Sequence, residues 1–151
     1  MQYFTLEELT RSQTAKEKGI DNTPTDEQIK NLVQLVEHVL DPLRTAYGKP
    51  INVTSGFRCK ELNKAIGGSE TSQHTKGEAA DIVPKERKDL KSLFRLILTE
   101  NLPFDHLIFE RCTWIHVSMR GNKQFQRGEI LTYDGEKYIR LTREQALTQF
   151  Q

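Results

Sequence analysis

The chain has 151 residues, of which 36% are hydrophobic and 28% charged, as expected for one globular domain over residues 1–151. Its 22 basic and 21 acidic side chains nearly cancel, which excludes bulk charge as a means of attracting nucleic acid or anionic lipid. The apolar runs are too short to span a bilayer, and the start of the chain lacks the basic and apolar regions of a signal peptide. We expect a monomer with no nucleic-acid partner and no membrane partner.

The N-terminal part of the chain carries two helix-start patterns. Thr5 and Thr25 each stand three residues before a Glu or Gln, the spacing of a capping box. A short helix is predicted after Thr5, followed by a polar loop over 12–22. A long helix over 25–47 is predicted after Thr25, because apolar residues recur there at helical spacing. Those residues are Ile29, Leu32, Val33, Val36, Leu40 and Leu43.

Alternation of apolar and polar residues predicts four strands, at 51–54, 79–83, 104–110 and 114–118. We predict an α+β fold, in which a small antiparallel sheet carries helices 25–47 and 89–100 on one face and the candidate site on the other. The last two strands are three residues apart, which predicts a hairpin with Glu110 opposite Trp114. The tail, 128–150, is predicted to add a second hairpin and a last helix.

The segment 72–81 holds a histidine and an aspartate seven positions apart, His74 and Asp81. Asp81 lies on a predicted strand, and Gly77 lets the preceding loop bend back so that His74 can approach it. His116, on the polar face of a later strand, adds a second imidazole. Nitrogen and oxygen ligands of this kind suit zinc, and three of them with an open fourth position are typical of a catalytic site.

The pattern Ser-x-His-x-x-Gly-x-Ala-x-Asp, which ends at Asp81, and the later Trp-Ile-His-Val-Ser around His116 resemble the zinc D-Ala-D-Ala carboxypeptidase family over roughly residues 25–118. That family includes phage endolysins that cut the L-alanyl-D-glutamate bond of peptidoglycan. It belongs to a broader group with lysostaphin and the hedgehog signalling domain. The resemblance implies that His74, Asp81 and His116 hold a zinc cofactor.

Two positions depart from the family pattern. Trp114 stands where the broader group has the first histidine of a His-x-His pair, and Thr113 stands where some members carry a catalytic acid. The turn that ends at Arg58 is similar to a family turn whose arginine helps hold the substrate. Arg58 is therefore expected to bind a carboxylate or a developing oxyanion, the alternative being a salt bridge within its loop. Ser72 and Gln73 are expected to donate hydrogen bonds, either to the substrate or to their own loop.

Glu110 and His106 are the candidates for the remaining catalytic chemistry. In the predicted hairpin both lie on the same face as His116, and Glu110 is its diagonal neighbour at about 7–8 Å between backbone positions. Glu110 is expected to take the proton of the attacking water and deliver it to the leaving amine. His106 is the rival base, a group that helps hold the tetrahedral intermediate, or a buried histidine with a structural role.

Covalent catalysis by a nucleophilic side chain is less well supported by the sequence. Ser55 and Ser118 lack a nucleophile-elbow motif around them. Cys112 lies at the predicted hairpin tip, where exposure is expected. Two cysteines, Cys59 and Cys112, are too few to indicate a disulfide framework, so we predict free thiols, with a bridge as the alternative.

The expected activity is that of a zinc metallopeptidase that hydrolyses peptidoglycan stem peptides, of the D-Ala-D-Ala carboxypeptidase or the L-Ala-D-Glu endopeptidase type. The alternative is a zinc-containing cell-wall-binding or phage structural module that has lost hydrolysis. Because no signal peptide is evident, we expect a phage lysin that stays cytoplasmic until release, or a virion-associated protein, acting at the cell wall. A bacterial enzyme with a separate export route is the other possibility.

Overall fold

The computed structural model describes residues 1–121 and 125–151, which form helices and one mixed sheet. The helices are α1 (Leu6–Thr10), α2 (Gln13–Lys18), α3 (Asp26–Leu35), α4 (Asp41–Tyr47), α5 (Lys60–Ala65), α6 (Leu90–Thr99) and α7 (Arg143–Gln149). The strands are β1 (Ile51–Ser55), β2 (Ala79–Pro84), β3 (His106–Glu110), β4 (Trp114–Ser118), β5 (Glu129–Tyr133) and β6 (Tyr138–Leu141). The predicted α+β class is confirmed.

Capping residues set the helix starts in the N-terminal part. The Thr5 hydroxyl accepts a hydrogen bond from the backbone of α1, and Thr25 forms a complete capping box at the start of α3. The loop predicted over 12–22 is wrong, because the Ser12 hydroxyl caps α2 in the same way. α2 ends at Gly19, whose left-handed backbone, at φ 65°, is the conformation that glycine adopts without strain.

The long helix is continuous from α3 to α4 but contains a π-helical turn, Val36–Leu40. Pro42 lies two residues after this turn, and since it has no N–H to donate to the preceding turn, the wider turn accommodates it. Of the residues predicted at helical spacing, Ile29 and Val33 are only partly buried, whereas the other four are fully buried along with Leu35 and Val39. They join α3 and α4 to α6 in the hydrophobic core beneath the sheet.

The strand order of the sheet is β1-β2-β4-β3-β5-β6, and the first four strands pair antiparallel. The predicted hairpin register is confirmed, with Glu110 opposite Trp114 and Ile108 opposite His116. Asp81 lies opposite His116 across β2 and β4. Alternate residues of these strands point into the helical core, which leaves Asp81, His116 and Glu110 on the other face. The core-facing residues are Ala80, Ile82, Leu107, Phe109, Ile115 and Val117.

The tail corrects the prediction of a small antiparallel sheet. β5 pairs with β3 in parallel, and β6 then pairs antiparallel with β5, so the sheet has six strands and is mixed. β4 runs antiparallel to β3 and therefore ends beside the start of β3. β5 begins near that end, on the other edge of β3, so β5 and β3 run in the same direction. Thr142 caps α7 with a capping box, and Phe150 packs on Phe94 at 4.4 Å between ring centroids.

Two further expectations concern membrane spans and cysteines. Within residues 1–121 and 125–151, no helix combines the length and the apolar character needed to cross a membrane. Cys59 and Cys112 are free thiols, as predicted. The Sγ atom of Cys59 accepts a hydrogen bond from the first turn of α5, whereas Cys112 is exposed at the hairpin tip.

Candidate active site

Three side chains converge on the face of the sheet opposite the helices: His74, Asp81 and His116. Each offers a ligand atom to a metal ion, and these atoms all lie within 4.8 Å of one another. The Asp81 Oδ1 atom is 3.3 Å from His74 Nε2 and 3.1 Å from His116 Nδ1. β2 and β4 present Asp81 and His116, and the 3₁₀ turn Gln73–Lys76 presents His74. The structure thus brings together the three residues that the sequence motifs singled out.

The orientation of the His74 ring is set by the backbone of Gly56. His74 Nδ1 lies 2.7 Å from the Gly56 carbonyl oxygen, which can only accept, so Nδ1 carries the proton. In a neutral imidazole the Nε2 atom then has no proton and presents its lone pair to Asp81 Oδ1. Two acceptors that face each other at 3.3 Å repel unless a cation lies between them. The donor set therefore fits a metal ion.

Burial and charge favour the protonation states that metal binding requires. Burial lowers the pKa of His74 and keeps its imidazole neutral, against the opposing attraction of Asp81. Burial alone would raise the pKa of Asp81, but its contacts with the His74 and His116 imidazoles outweigh burial and lower that pKa. A neutral imidazole and an ionised carboxylate are the forms that coordinate metals.

A cavity of about 540 Å³ opens above the three residues and contains other predicted site residues. Arg58 lines it at the end of the turn after β1, where its Nη1 donates to the Ser55 hydroxyl at 3.2 Å. Among residues 1–121 and 125–151, Arg58 forms no ion pair within 4.0 Å, so the alternative of a loop salt bridge has no partner there. Its buried Nε atom also makes no hydrogen bond within that part of the chain.

Glu110 lines the same cavity from the end of β3. Burial raises its pKa, and the charge of Asp81 adds to this effect, while His116 opposes it. A carboxylate with a raised pKa accepts a proton more readily at neutral pH than an ordinary surface glutamate does. The expected placement of Glu110 on the same sheet face as His116 follows from the observed register.

Ser72 and Gln73 make their hydrogen bonds within the protein. The Ser72 hydroxyl accepts from the backbone N–H of His74 at 3.2 Å and caps the turn that carries the imidazole. Gln73 Nε2 donates to Asp105 Oδ2 at 3.1 Å. Both side chains border the cavity, but these contacts brace the His74 loop.

Asp105 was not identified from the sequence, although it connects three parts of the site. It is completely buried, and its carboxylate accepts from Gln73 and, through Nε and Nη2, from Arg127. Its backbone N–H donates to the carbonyl of Ser118 at the end of β4. Burial opposes ionisation, but the hydrogen bonds and charge of Arg127 lower the pKa of Asp105 to about 2. No sequence pattern links Asp105 with Arg127, which lies 22 residues away.

His106 lies in the cavity but apart from the three candidate ligands. Its Nε2 atom is 2.7 Å from Glu129 Oε2. Burial and the charge of Arg127 lower the pKa of His106, whereas Glu129 raises it. The His106 imidazole is therefore neutral, and its Nε2 atom already contacts the carboxylate of Glu129 on β5.

A comparison with known protein families supports the interpretation of this site as a metal-dependent active site. The family model described as Peptidase M15 matches residues 2–118, which include both motifs and all three candidate ligands. The chain belongs to the Peptidase M15 family, whose members are metal-dependent peptidases, and the family predicted from the motifs is confirmed. The match begins upstream of the segment 25–118 on which the resemblance rested, and it ends before β5, β6 and α7. No curated protein matches the chain.

Proposed function

We propose that the protein is a zinc metallopeptidase that hydrolyses peptide bonds in peptidoglycan stem peptides at the cell wall. The observation that carries this proposal is the contact of His74 Nδ1 with the Gly56 carbonyl, which leaves Nε2 unprotonated and facing the carboxylate of Asp81 beside His116. His74, Asp81 and His116 would hold the ion, and two nitrogens with one oxygen form a ligand set used by catalytic zinc. Bound zinc would polarise the scissile carbonyl and make a water more acidic.

Glu110 is the general base of this scheme. Its raised pKa and its place in the cavity support a role in which it takes a proton from the attacking water. The protonated carboxyl group then gives that proton to the leaving amine. His106 helps stabilise the charge that develops on the scissile carbonyl oxygen. This role is secondary because Glu129 already contacts the His106 ring.

Arg58 orients the substrate. Arg58 lies at the edge of the cavity beside His74 and has no ion-pair partner among residues 1–121 and 125–151, which suits a carboxylate on the amine side of the scissile bond. Burial lowers the pKa of Arg58 while Asp81 raises it, and a substrate carboxylate would compensate that burial. Ser72 and Gln73 act through the loop, by holding His74 in place.

The proposal is tested by digestion of purified muropeptides with metal-stripped protein, with and without added zinc, followed by mass spectrometry. We expect zinc to restore cleavage, and the product masses to show whether the D-Ala-D-Ala or the L-Ala-D-Glu bond was cut. Intact muropeptides after incubation with a zinc-loaded, folded protein would contradict hydrolysis.

A second candidate function is a zinc-containing module that binds the cell wall without cutting it. Trp114 and Thr113 favour it, because they replace groups that other members of the family or of the broader group use in catalysis. Under this alternative the zinc-loaded protein would sediment with purified cell walls and leave their turbidity unchanged. Loss of turbidity would exclude it.

A further inference from the structure

A row of side chains crosses the sheet beside the candidate catalytic centre. The register places Trp114, Glu110, Tyr133 and Tyr138 opposite one another on β4, β3, β5 and β6. Directly paired residues point to the same face of a sheet, so all four lie on the face that carries the site. Three of them, Trp114, Glu110 and Tyr138, line the cavity that contains the candidate ligands.

The two tyrosines form a stacked platform at the β6 end of this row. Their ring centroids are 4.3 Å apart at an interplanar angle of 26°. The Arg111 guanidinium lies 5.5 Å from the Tyr133 centroid and helps hold the inner ring. A cross-strand aromatic pair stabilises a hairpin, yet Tyr138 is 57% exposed beside the cavity, so much of its surface is free for a ligand.

The cavity joins this platform to Arg58 at its opposite end. Arg58 follows β1 and Tyr138 begins β6, so a substrate in contact with both lies across the strands. If Arg58 holds the amine side of the scissile bond, the acyl side extends toward Tyr138. β6 lies two strand spacings, about 10 Å, beyond β3, which carries Glu110. An extended peptide covers that distance in about three residues.

We propose that the platform formed by Tyr133 and Tyr138 binds a pyranose ring of the glycan strand, on the acyl side of the cleaved peptide; this inference rests on the proposed function. The weakly positive C–H groups on one face of a pyranose pack on the negative face of an aromatic ring. A reach of about three residues on the acyl side includes the sugar when the L-Ala-D-Glu bond, near the glycan strand, is cut. It does not include the sugar when the D-Ala-D-Ala bond at the far end of the stem peptide is cut. β5 and β6 lie outside the family match, so the subsite belongs to the tail of this chain.

The kinetic test compares a muropeptide with the same peptide lacking its sugar. We expect a KM about ten-fold lower for the sugar-linked substrate, and we expect Tyr138→Ala to lose most of this preference, with a larger loss on the sugar-linked substrate than on the sugar-free one. Tyr138→Phe, which keeps the ring, should behave like the parent protein. Ile139→Ala is the matched control, because Ile139 is 47% exposed on the opposite face of β6. Equal KM values for both substrates, or equal losses in Tyr138→Ala, would overturn the subsite.

A binding test separates the subsite from the proposed function. Trp114 is the only tryptophan of the sequence and lines the same cavity, so its fluorescence reports on occupancy. A soluble N-acetylhexosamine oligosaccharide without peptide should change this fluorescence saturably in the parent protein and in Glu110→Gln, but not in Tyr138→Ala. A flat titration of the parent protein would overturn the inference. Saturable binding without any peptide cleavage would support the subsite and refute the peptidase.

Discussion

His74 Nδ1 lies 2.7 Å from the carbonyl oxygen of Gly56, which makes the turn after β1 the support of a candidate metal ligand. The turn is itself fixed by α1, because the backbone N–H of Phe57 donates to the carbonyl of Leu9 at 2.7 Å. The contact at Gly56 is close: a Cβ atom there would lie 2.2 Å from the Leu9 oxygen. The N-terminal helix thus influences the orientation of an imidazole that is distant in sequence.

Gly56→Ala should destabilise the protein and weaken metal binding together. The added methyl group must displace the Leu9 backbone or the turn itself, at a cost of about 1–3 kcal/mol in the free energy of unfolding. Displacement of the Gly56 carbonyl would release the His74 ring, and loss of such an orienting partner typically weakens metal affinity about 10–100-fold. Denaturant unfolding and zinc titration measure the two effects.

Gly19→Ala is the matched control for that substitution. Gly19 has a φ of 65° and nothing within 4 Å of an added Cβ, so alanine there adds only backbone strain of roughly 1–2 kcal/mol. Zinc affinity should stay at the parent value. Parental zinc affinity in Gly56→Ala as well would show that the Gly56 carbonyl does not orient His74.

Glu110→Gln should keep the fold and zinc binding but lower kcat/KM on a muropeptide by about 10²–10⁴-fold. The amide has nearly the same shape and cannot accept the proton. His106→Ala should cost less, because His106 only assists in this scheme. If Glu110→Gln keeps parental activity while His106→Ala abolishes it, the two roles are reversed.

Asp105→Asn should lower stability by about 1–2 kcal/mol at neutral pH, since the ionised carboxylate accepts hydrogen bonds from Arg127 and Gln73. The pKa of Asp105 is lowered from 3.8 to about 2, so its contribution is complete above pH 3.8 and is lost as the pH falls toward 2. Unfolding free energies measured from pH 7 down to about pH 2 should therefore differ by a constant amount above about pH 4 and converge for parent and variant at the acid end. A difference that stays constant over this range would contradict the role of the carboxylate charge.

Local patterns in the sequence predicted most of the helices and strands, and the three residues that they proposed as ligands lie together in the structure. The capping box at Thr25 and the pairing of Glu110 with Trp114 depend on residues three or four positions apart, and both are found. The six-residue helix α2 was missed because it buries only Ala15 and has no apolar stripe to reveal it. Its one visible signal was Ser12, a capping residue read as part of a loop.

Long-range relationships were not accessible from the sequence. The parallel pairing of β5 with β3 depends on the position of β4 in the sheet, which no local pattern encodes. The Asp105–Arg127 pair joins two segments through a buried carboxylate, and either residue alone is unremarkable in a chain that is 28% charged. The tail was predicted as a hairpin and helix, but its contribution of Tyr138 to the cavity required the assembled sheet.

Cys112→Gly should stabilise the protein by about 0.5–1 kcal/mol. Arg111 and Cys112 both have left-handed backbone, at φ 51° and 53°, in a turn closed by the Thr113 N–H on the Glu110 carbonyl. This is the geometry of a type I′ turn, in which glycine is favoured. Cys112→Ala is the control for thermal unfolding and should bring no gain, because it keeps the Cβ atom. Equal stability of the glycine and alanine variants would contradict strain at this turn.

The central claim is that His74, Asp81 and His116 bind one zinc ion, and calorimetric titration of metal-stripped protein tests it most directly. The sequence has four histidines, so the exposed His38 and the cavity residue His106 serve as internal controls. We predict one zinc per chain in the parent protein, His38→Ala and His106→Ala, and affinity at least about 100-fold weaker in His74→Ala, Asp81→Ala and His116→Ala. Full zinc occupancy with parental affinity in the ligand variants would contradict the assignment.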